Sequence, residues 1–510
     1  MGEMTMDNGI LLGIDFGTGG CKVTAITTDG TLVADASVEY TTYFEHPGWS
    51  EQEPADWYSA MCQALAKLRE KGVDFSRILS VAFDGSTHNA VLLDDDYRPL
   101  RRTIMWTDQR STAECAELRE KHGDAIFATA YQQPAPTWTL PQMMWLKHHE
   151  PEVLKATRHV LFVKDYVRFL VTGTAQTDNI EAQGTLFFDM KNQRWSEELV
   201  ALSGLGLSAL PELVLPTDVT GRVTAKADDD TGIPAGTPVV CGTSDSAVED
   251  YGAGAIEPGD CIIKLATAGN VNIMTSEPHP YKTTLTYSHV IRDMWYTVSA
   301  TNAAALCQRW LRDLVCQDLK AESAATGAAV YELMDREASQ SPVGANGVFF
   351  HPYLQGERSP YWDPALRASF TGLSVSSYRC DMMRALLEGV AFSLLDCHGT
   401  IREMGLEAKR LILIGGGARS ALWSSIVCDA FNLPLLVPHP GDASFGSALL
   451  AGTGAGVFAD SADAVRKCLH IKQSLTPNEK NASAYAELFQ NYRRIHDALA
   501  PVYAGLARKV

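Results

Sequence analysis

The pattern of apolar and polar positions begins with a run from Ile10 to Ile14 that reads as a buried strand. One carboxylate, Asp15, stands at its end, and Gly17, Thr18, Gly19 and Gly20 follow. Glycines tolerate the tight backbone of a turn. Lys22 to Ile26 then alternates as a second strand. The order is strand, glycine-rich turn, strand, whereas in a P-loop the glycines lead into a helix. Residues Asp260 to Ile273 repeat the design, with Thr267 and Gly269 at the turn. Arg410 to Ile414 is a third apolar strand, feeding Gly415, Gly416, Gly417 and Ala418 and then a helical pattern. Two hairpins of one design predict a duplicated architecture with a nucleotide held between the halves.

The rest of the pattern fills in around these. A helix is predicted from Pro54 to Lys71, and a buried strand from Ile78 to Phe83 that ends in the polar turn Asp84-Gly85-Ser86-Thr87-His88-Asn89. In open α/β sheets such strand ends bind ligands. A short strand at Thr103 ends in Trp106, Asp108 and Arg110. Residues 111 to 160 are mostly helical in period, broken at 133–136, while 162–166 and 180–185 add polar groups without an assigned role. Residues 215–237 accumulate Pro, Asp and Gly and read as loop-rich. Pro238 to Cys241 is a further buried strand, with Gly242 after it and Asp245 and Ser246 at its tip. The boundary between halves is placed at Gly252–Gly254. Helices are predicted at Ala303–Leu319, Arg384–Leu395 and 480–508.

A chain of 510 residues is too long for one core. A formal charge of −18 argues against nucleic acid, because phosphate backbones call for clustered Lys and Arg. No apolar run approaches a membrane span, and Met1 to Met6 shows neither a signal peptide nor a myristoylation motif. The 11 cysteines include no Cys-x-x-Cys, as expected for reduced thiols in a cytoplasmic protein.

The candidate chemistry gathers at the turns. A glycine-rich hairpin can aim backbone N–H groups and the Thr18 hydroxyl at a phosphate chain, with Asp15 facing the accompanying metal; the same stretch also reads as an ordinary β-hairpin. His88 is either a ligand of the site or a structural imidazole. Trp106 beside a carboxylate and a guanidinium suits a sugar, and equally suits the core. Asp245 is either a general base, with Gly242 letting substrate approach, or a helix N-cap. Gly441 to Ser447 spaces its glycines like a P-loop but has Ser where Lys is required. Gly415-x-Gly417-x-x-Ser420 lacks the acidic residue of a dinucleotide site, because the next strand ends at His439.

Together the two hairpins, Asp245 and the Gly-Gly-Gly-Ala turn resemble the FGGY family of carbohydrate kinases over nearly the whole chain. Within the family the pattern is most similar to the xylulose kinases, through Trp49-Ser-Glu-Gln52, Pro352-Tyr-Leu-x-Gly-Glu-Arg358-x-Pro360 and Ile414-Gly-Gly-Gly-Ala-Arg-Ser420-x-x-Trp423. The resemblance implies an α/β, two-domain fold shared with actin, hexokinase and the heat-shock ATPases, with duplicated ribonuclease-H-like domains and a cleft between them. The domains are expected at 9–254 and 255–475, with a helical tail at 476–510. It implies ATP-dependent phosphorylation of a terminal sugar hydroxyl with Mg²⁺, most simply on D-xylulose, in a cytoplasmic homodimer without nucleic-acid or membrane partners. Asp245 is then the catalytic base. Thr87, His88, Trp106, Asp245 and Ser246 bind sugar, and Asp15 serves the metal. Gly17, Thr18, Gly19, Thr267 and Gly269 line the phosphates, and Gly416, Gly417 and Ala418 lie near the adenosine.

The chain departs from the xylulose kinase pattern at several positions. Gly85-Ser-Thr-His88-Asn89 stands for Gly-Gln-Met-His-Gly, Asp245-Ser246 for Asp-Asn, and Gln142 for a Lys. These changes bear on the sugar more than on the reaction, and leave another ketose or a polyol such as ribulose or a glycerol-like acceptor as alternatives. The rivals from other classes are a non-catalytic sugar sensor, which needs a basic DNA-binding segment absent here, and a nucleotide-switched scaffold, which needs no carboxylate at the sugar-facing strand tip.

Overall fold

The computed structural model describes residues 9–507. The N-terminal stretch read for a signal or myristoylation motif, and residue 508 of the expected terminal helix, lie outside the described residues. The chain forms two compact units. One runs through Ile256 and adds 287–294 and 440–470; the other comprises 257–286, 295–439 and the chain from 471. A single cut near residue 254 does not capture this interleaving.

The first unit is built on six strands: β1 (Ile10–Gly17), β2 (Gly20–Thr27), β3 (Leu32–Glu39), β4 (Ile78–Gly85), β5 (Val219–Arg222) and β6 (Pro238–Ser244). Their order across the sheet is β5-β6-β4-β1-β2-β3. The hairpin β1–β2 is antiparallel, as is β2–β3, while β1, β4 and β6 run parallel at the centre. The near-continuous apolar runs of β1 and β4 follow from burial on both faces. The helix Pro54–Glu70 starts with proline in its first turn and ends with Lys67 and Arg69, and it buries Trp57, Met61, Leu65 and Leu68 on one stripe.

The segment 440–470 belongs to this unit, where its helix, Ala443–Gly454, packs closely against β1 and against the helix Asp245–Gly252. A Cβ on Gly13 of β1 would lie 1.8 Å from Ser444 O, and one on Gly446 would lie 2.2 Å from Val248 O. The P-loop-like glycine spacing is thus a helix-packing device. The loop-rich stretch 215–237 also holds β5 and the helix Ala225–Thr231, capped by Thr224.

The second unit repeats the plan with β7 (Asp260–Leu265), β8 (Gly269–Thr275), β9 (Trp295–Thr301), β10 (Arg410–Ile414), β11 (Leu435–Pro438) and β12 (Ile471–Leu475). These strands are ordered β9-β8-β7-β10-β11-β12. The directions match those of the first sheet pair for pair: two antiparallel, two parallel, one antiparallel. The duplication expected from the two hairpins is therefore a duplication of topology. The helix Arg379–Glu403 lies buried for most of its length. The helix Glu479–Ala507 buries Tyr485 and Tyr492 in this unit's core, so the C-terminal stretch is part of the unit. The expected helix at 303–319 is two, Ala305–Val315 and Gln317–Thr326, broken at Cys316, whose φ is −117 and ψ 39. Among the described residues no helix is long and apolar enough to cross a membrane.

One glycine sets the end of β6. Its pairing with β4 shifts register between Val240 and Thr243, and within that bulge Gly242 takes φ +71. A Cβ there would sit 1.7 Å from Phe83 O. Gly242 is thus required by the backbone of β4 rather than by an approaching substrate. Gly242→Ala should lower the melting temperature by roughly 5 °C or more, since strain and a backbone clash add. Gly19→Ala, at a position with no atom within 4 Å and no positive φ, should melt close to the wild type in the same scan.

Candidate active site

The parallel strands of the first unit end side by side. Asp15 of β1 pairs with Asp84 of β4, and Thr243 of β6 pairs with Asp84 from the other side. Asp245 follows β6 as the first residue of the helix Asp245–Gly252. Three carboxylates therefore stand at neighbouring strand ends. Asp84 is fully buried and accepts the Ser447 hydroxyl at 2.5 Å. Burial pushes Asp15 up to about 7, against a hydrogen bond with Asp84 that lowers it; the charges of Asp245, Asp442 and Glu249 add to the rise. Burial, then the charge of Asp15, holds Asp84 well above the carboxylate range. When both are ionised, neither Asp15 Oδ1 nor Asp84 Oδ1 has a donor among the described residues. Such a pair holds one proton or one cation. No group of three or more His, Cys, Asp or Glu that could hold a metal occurs among the described residues.

Asp84 is the residue that sequence reading passed over. Its signal was present: an apolar run closed by Asp and then glycine, as at Ile14-Asp15-Phe16-Gly17.

The turn after β4 is held from several sides. His88 is buried, in a left-handed conformation with φ 55, and its ring packs 4.9 Å from Trp138. Burial pushes its imidazole down to about 3, so the ring is neutral. Thr87 Oγ1 lies 3.4 Å from Asp245 Oδ1. Asn89 donates to Ser86 O at 2.7 Å and accepts the Trp106 backbone N–H at 2.5 Å, so the residue that replaces glycine ties this turn to Trp106. The Trp106 ring is 41% exposed rather than core, and its indole N–H donates to Thr18 Oγ1 at 2.9 Å. Gln142, at the family's Lys position, is buried against the carbonyls of Met105, Pro136 and Thr137.

The first hairpin turn is braced by the Trp49-Ser-Glu-Gln52 segment: Gln52 donates to Thr18 O at 2.8 Å and is itself held by Trp57 at 2.9 Å. The Tyr40 hydroxyl donates to Gly17 O. None of Gly17, Gly19 or Gly20 has a positive φ; what excludes a side chain is Gly20, whose Cβ would lie 2.7 Å from Val38 O. The cap of the helix after β6 is Ser244, and Asp245 stands inside it, accepting from the Ser246 N–H at 2.6 Å. Ser246 itself is exposed.

Within the second unit, Thr267 lies exposed at the β7–β8 turn, and Arg309 reaches its hydroxyl at 3.1 Å. Arg309 is a cation at a phosphate-type turn that the sequence alone did not single out, because it arrives on a separate helix. Gly269 packs against Leu394, Thr301 and Ala304. Gly415, at φ +87, and Gly417 press on Leu265 at the end of β7, which seats the triple-glycine turn beside the hairpin. Gly416 is exposed with no atom within 4 Å of its would-be Cβ, and Ala418 follows in a short 3₁₀ turn.

The model of the FGGY carbohydrate kinase N-terminal domain matches residues 10–252, and that of the C-terminal domain matches 262–455. The chain belongs to the FGGY family of carbohydrate kinases. Its fold is that family's α/β, actin-like ATPase fold, and it is a phosphotransferase of the sugar-kinase type. A xylulose kinase of Bacillus subtilis is 31% identical over 490 residues, covering 95% of this chain and 96% of the relative. A gluconokinase of the same species is 26% identical over 500 residues, covering 98% and 97%. The crystal structure of a xylulose kinase from Rhodospirillum rubrum superposes with a TM-score of 0.87 at 28% identity, covering 97% of this chain and all (100%) of that one.

The carboxylate pair makes a pH prediction. Both pKa values are raised in the folded state, so the stability contributed by their protonated forms is full below about pH 4 and is lost as pH rises towards 7 and beyond. Asp84→Asn keeps an acceptor for Ser447 and removes one ionisable group. Its melting temperature should exceed the wild type's by a margin that grows from pH 5 to pH 8; a margin independent of pH would show that the Asp84 carboxyl is not raised in the folded protein.

Proposed function

We propose that the protein transfers the γ-phosphoryl group of ATP to the terminal hydroxyl of D-xylulose, giving D-xylulose 5-phosphate. The observation that carries the reading is Asp245, beside Thr87 and one strand from the Asp15–Asp84 pair. The relatives named xylulose kinase support the choice of sugar.

In this reading the acceptor hydroxyl gives its proton to Asp245 as its oxygen attacks the γ-phosphorus in line, and the bond to the ADP oxygen breaks. The Ser246 N–H donates to the Asp245 carboxylate and orients it at the start of the helix Asp245–Gly252. His88, neutral, and Trp106 offer a hydrogen-bonding edge and an apolar face to the sugar, with Ser246 exposed at the same strand end. Thr18, flanked by Gly17 and Gly19, serves the phosphates, as do Thr267, Gly269 and Arg309; Gly416, Gly417 and Ala418 serve the adenosine. Mg²⁺, when bound, neutralises phosphate charge, and Asp15 with Asp84 would hold it directly or through water. Mg²⁺, a cytoplasmic setting and a homodimer belong to the proposal on the family resemblance alone. Domains at 9–254 and 255–475 remain part of it as the linear extent of the two functional halves. The changes at 86, 87 and 89 and the gluconokinase relative give a second reading, in which the acceptor is gluconate.

A coupled ADP assay across ketopentoses, aldoses, polyols and gluconate tests the acceptor. D-xylulose should give the highest kcat/KM; a polyol, aldose or gluconate ahead of every ketopentose would overturn the substrate. Asp245→Asn should keep its melting temperature and still bind sugar and nucleotide, while losing at least about 10²-fold in turnover. Near-normal turnover in that variant would remove Asp245 from the mechanism. Asp15→Ala should raise the Mg²⁺ concentration needed for half-maximal rate, and an unchanged requirement would reduce Asp15 to a turn residue.

A further inference from the structure

The polar residues at 162–166 and 180–185 form one buried assembly. Lys164 bridges Asp165 at 2.6 Å and Asp178 at 2.8 Å, and Arg168 meets Asp165 at 2.9 Å, all of them shut off from solvent. Asp178 has a double role. Its Oδ1 caps the short helix Asn179–Gln183, accepting the N–H groups of Ile180 at 2.9 Å and Glu181 at 3.1 Å. The same oxygen accepts the Thr243 hydroxyl at 2.7 Å, two residues before Asp245. The helix that carries Glu181 is thereby fixed to the strand that presents Asp245.

Glu181 is 1% exposed. Its Oε1 accepts the His88 N–H at 2.5 Å and so holds the left-handed backbone of the sugar-side turn, while Thr139 holds the His88 carbonyl at 2.7 Å. Gly184 brings the helix end against this turn: a Cβ there would lie 2.6 Å from the His88 ring and 2.8 Å from Thr87. Glu181 Oε2 is buried and has no hydrogen-bond partner among the described residues. A buried polar atom left unpaired is costly, and native proteins keep few of them. The pKa of the Tyr287 phenol is raised, first by burial and then by the charges of Asp245 and Glu181. Gln183, on the same helix, bonds Ser288 next to that phenol through its side-chain amide, at 2.8 Å in each direction.

We propose that Glu181 is a specificity-determining residue of the acceptor site, Oε1 holding the His88 turn and Oε2 hydrogen-bonding one hydroxyl of the bound sugar. This rests on the sugar-kinase reading above. A site that hydrogen-bonds a hydroxyl discriminates strongly against the analogue lacking it, because the protein group is left unpaired.

The test crosses Glu181 variants with singly deoxygenated analogues of whichever acceptor the wild type uses. Glu181→Ala removes both oxygens. Glu181→Asp keeps a buried carboxyl one methylene too short to serve both partners, and stands in if the alanine variant does not fold. At one sugar position the wild type should lose at least about tenfold in kcat/KM on deoxygenation, and that penalty should fall to about twofold in the variant, with the KM for ATP unchanged. A purely structural Glu181 lowers kcat/KM for every analogue by one factor and leaves each deoxy penalty as it was, which would overturn the proposal alone. Absence of sugar-dependent ADP formation by the wild type would remove the sugar-kinase reading and this proposal with it.

Discussion

The site depends on the register of three parallel strands. Once β1, β4 and β6 are aligned, Asp15 faces Asp84, Thr243 faces Asp84 from the other flank, and Asp245 follows at the next step. Burying these carboxylates opposes folding: burial first, with neighbouring carboxylate charge added to it, raises the pKa of Asp15 and of Asp84. The surrounding structure over-determines the arrangement. The helix Ala443–Gly454 donates Ser447 to Asp84 and seats itself on Gly13, and the Gly242 bulge lets β6 rejoin β4 for its last residues. Sheet, helix and glycine together hold three carboxylates at one strand edge.

The turn after β4 is held in the same way. Ser86 to Asn89 is not a free loop: its backbone is held by Glu181 and Thr139, and Asn89 ties it to Trp106, which in turn meets Thr18 of the phosphate-type hairpin. These contacts join Glu181, His88, Asn89, Trp106 and Thr18 into one connected chain. The replacements at 86, 87 and 89 relative to the xylulose kinase pattern are therefore substitutions within a connected network, and the Asn at 89 makes two contacts that a glycine cannot make.

Much of this was legible in the sequence. Both hairpins, the triple-glycine turn, the strand before Asp245 and most helices followed from apolar period and turn residues, and so did the duplication. What escaped were features set by contacts distant in sequence. Asp84 looked like a turn residue until its register with Asp15 was known. Arg309 and Glu181 reach their partners from separate helices, and no local pattern marks them. The glycines of 441–452 imitated a phosphate loop because close helix packing and phosphate binding both exclude a side chain. The return of 440–470 to the first unit was hidden because a helix's period says which face it buries but not against which sheet. Asp245 was open to two readings in the sequence; the structure places Ser244 at the cap and Asp245 just inside the helix.

The most direct test is a crystal structure of the protein with its acceptor sugar and a non-hydrolysable ATP analogue. The account predicts the terminal hydroxyl within about 3 Å of the Asp245 carboxylate, with its oxygen in line with the γ-phosphorus and the cation on the Asp15–Asp84 side. A terminal hydroxyl directed away from Asp245, or a cation bound without either Asp15 or Asp84, would contradict it.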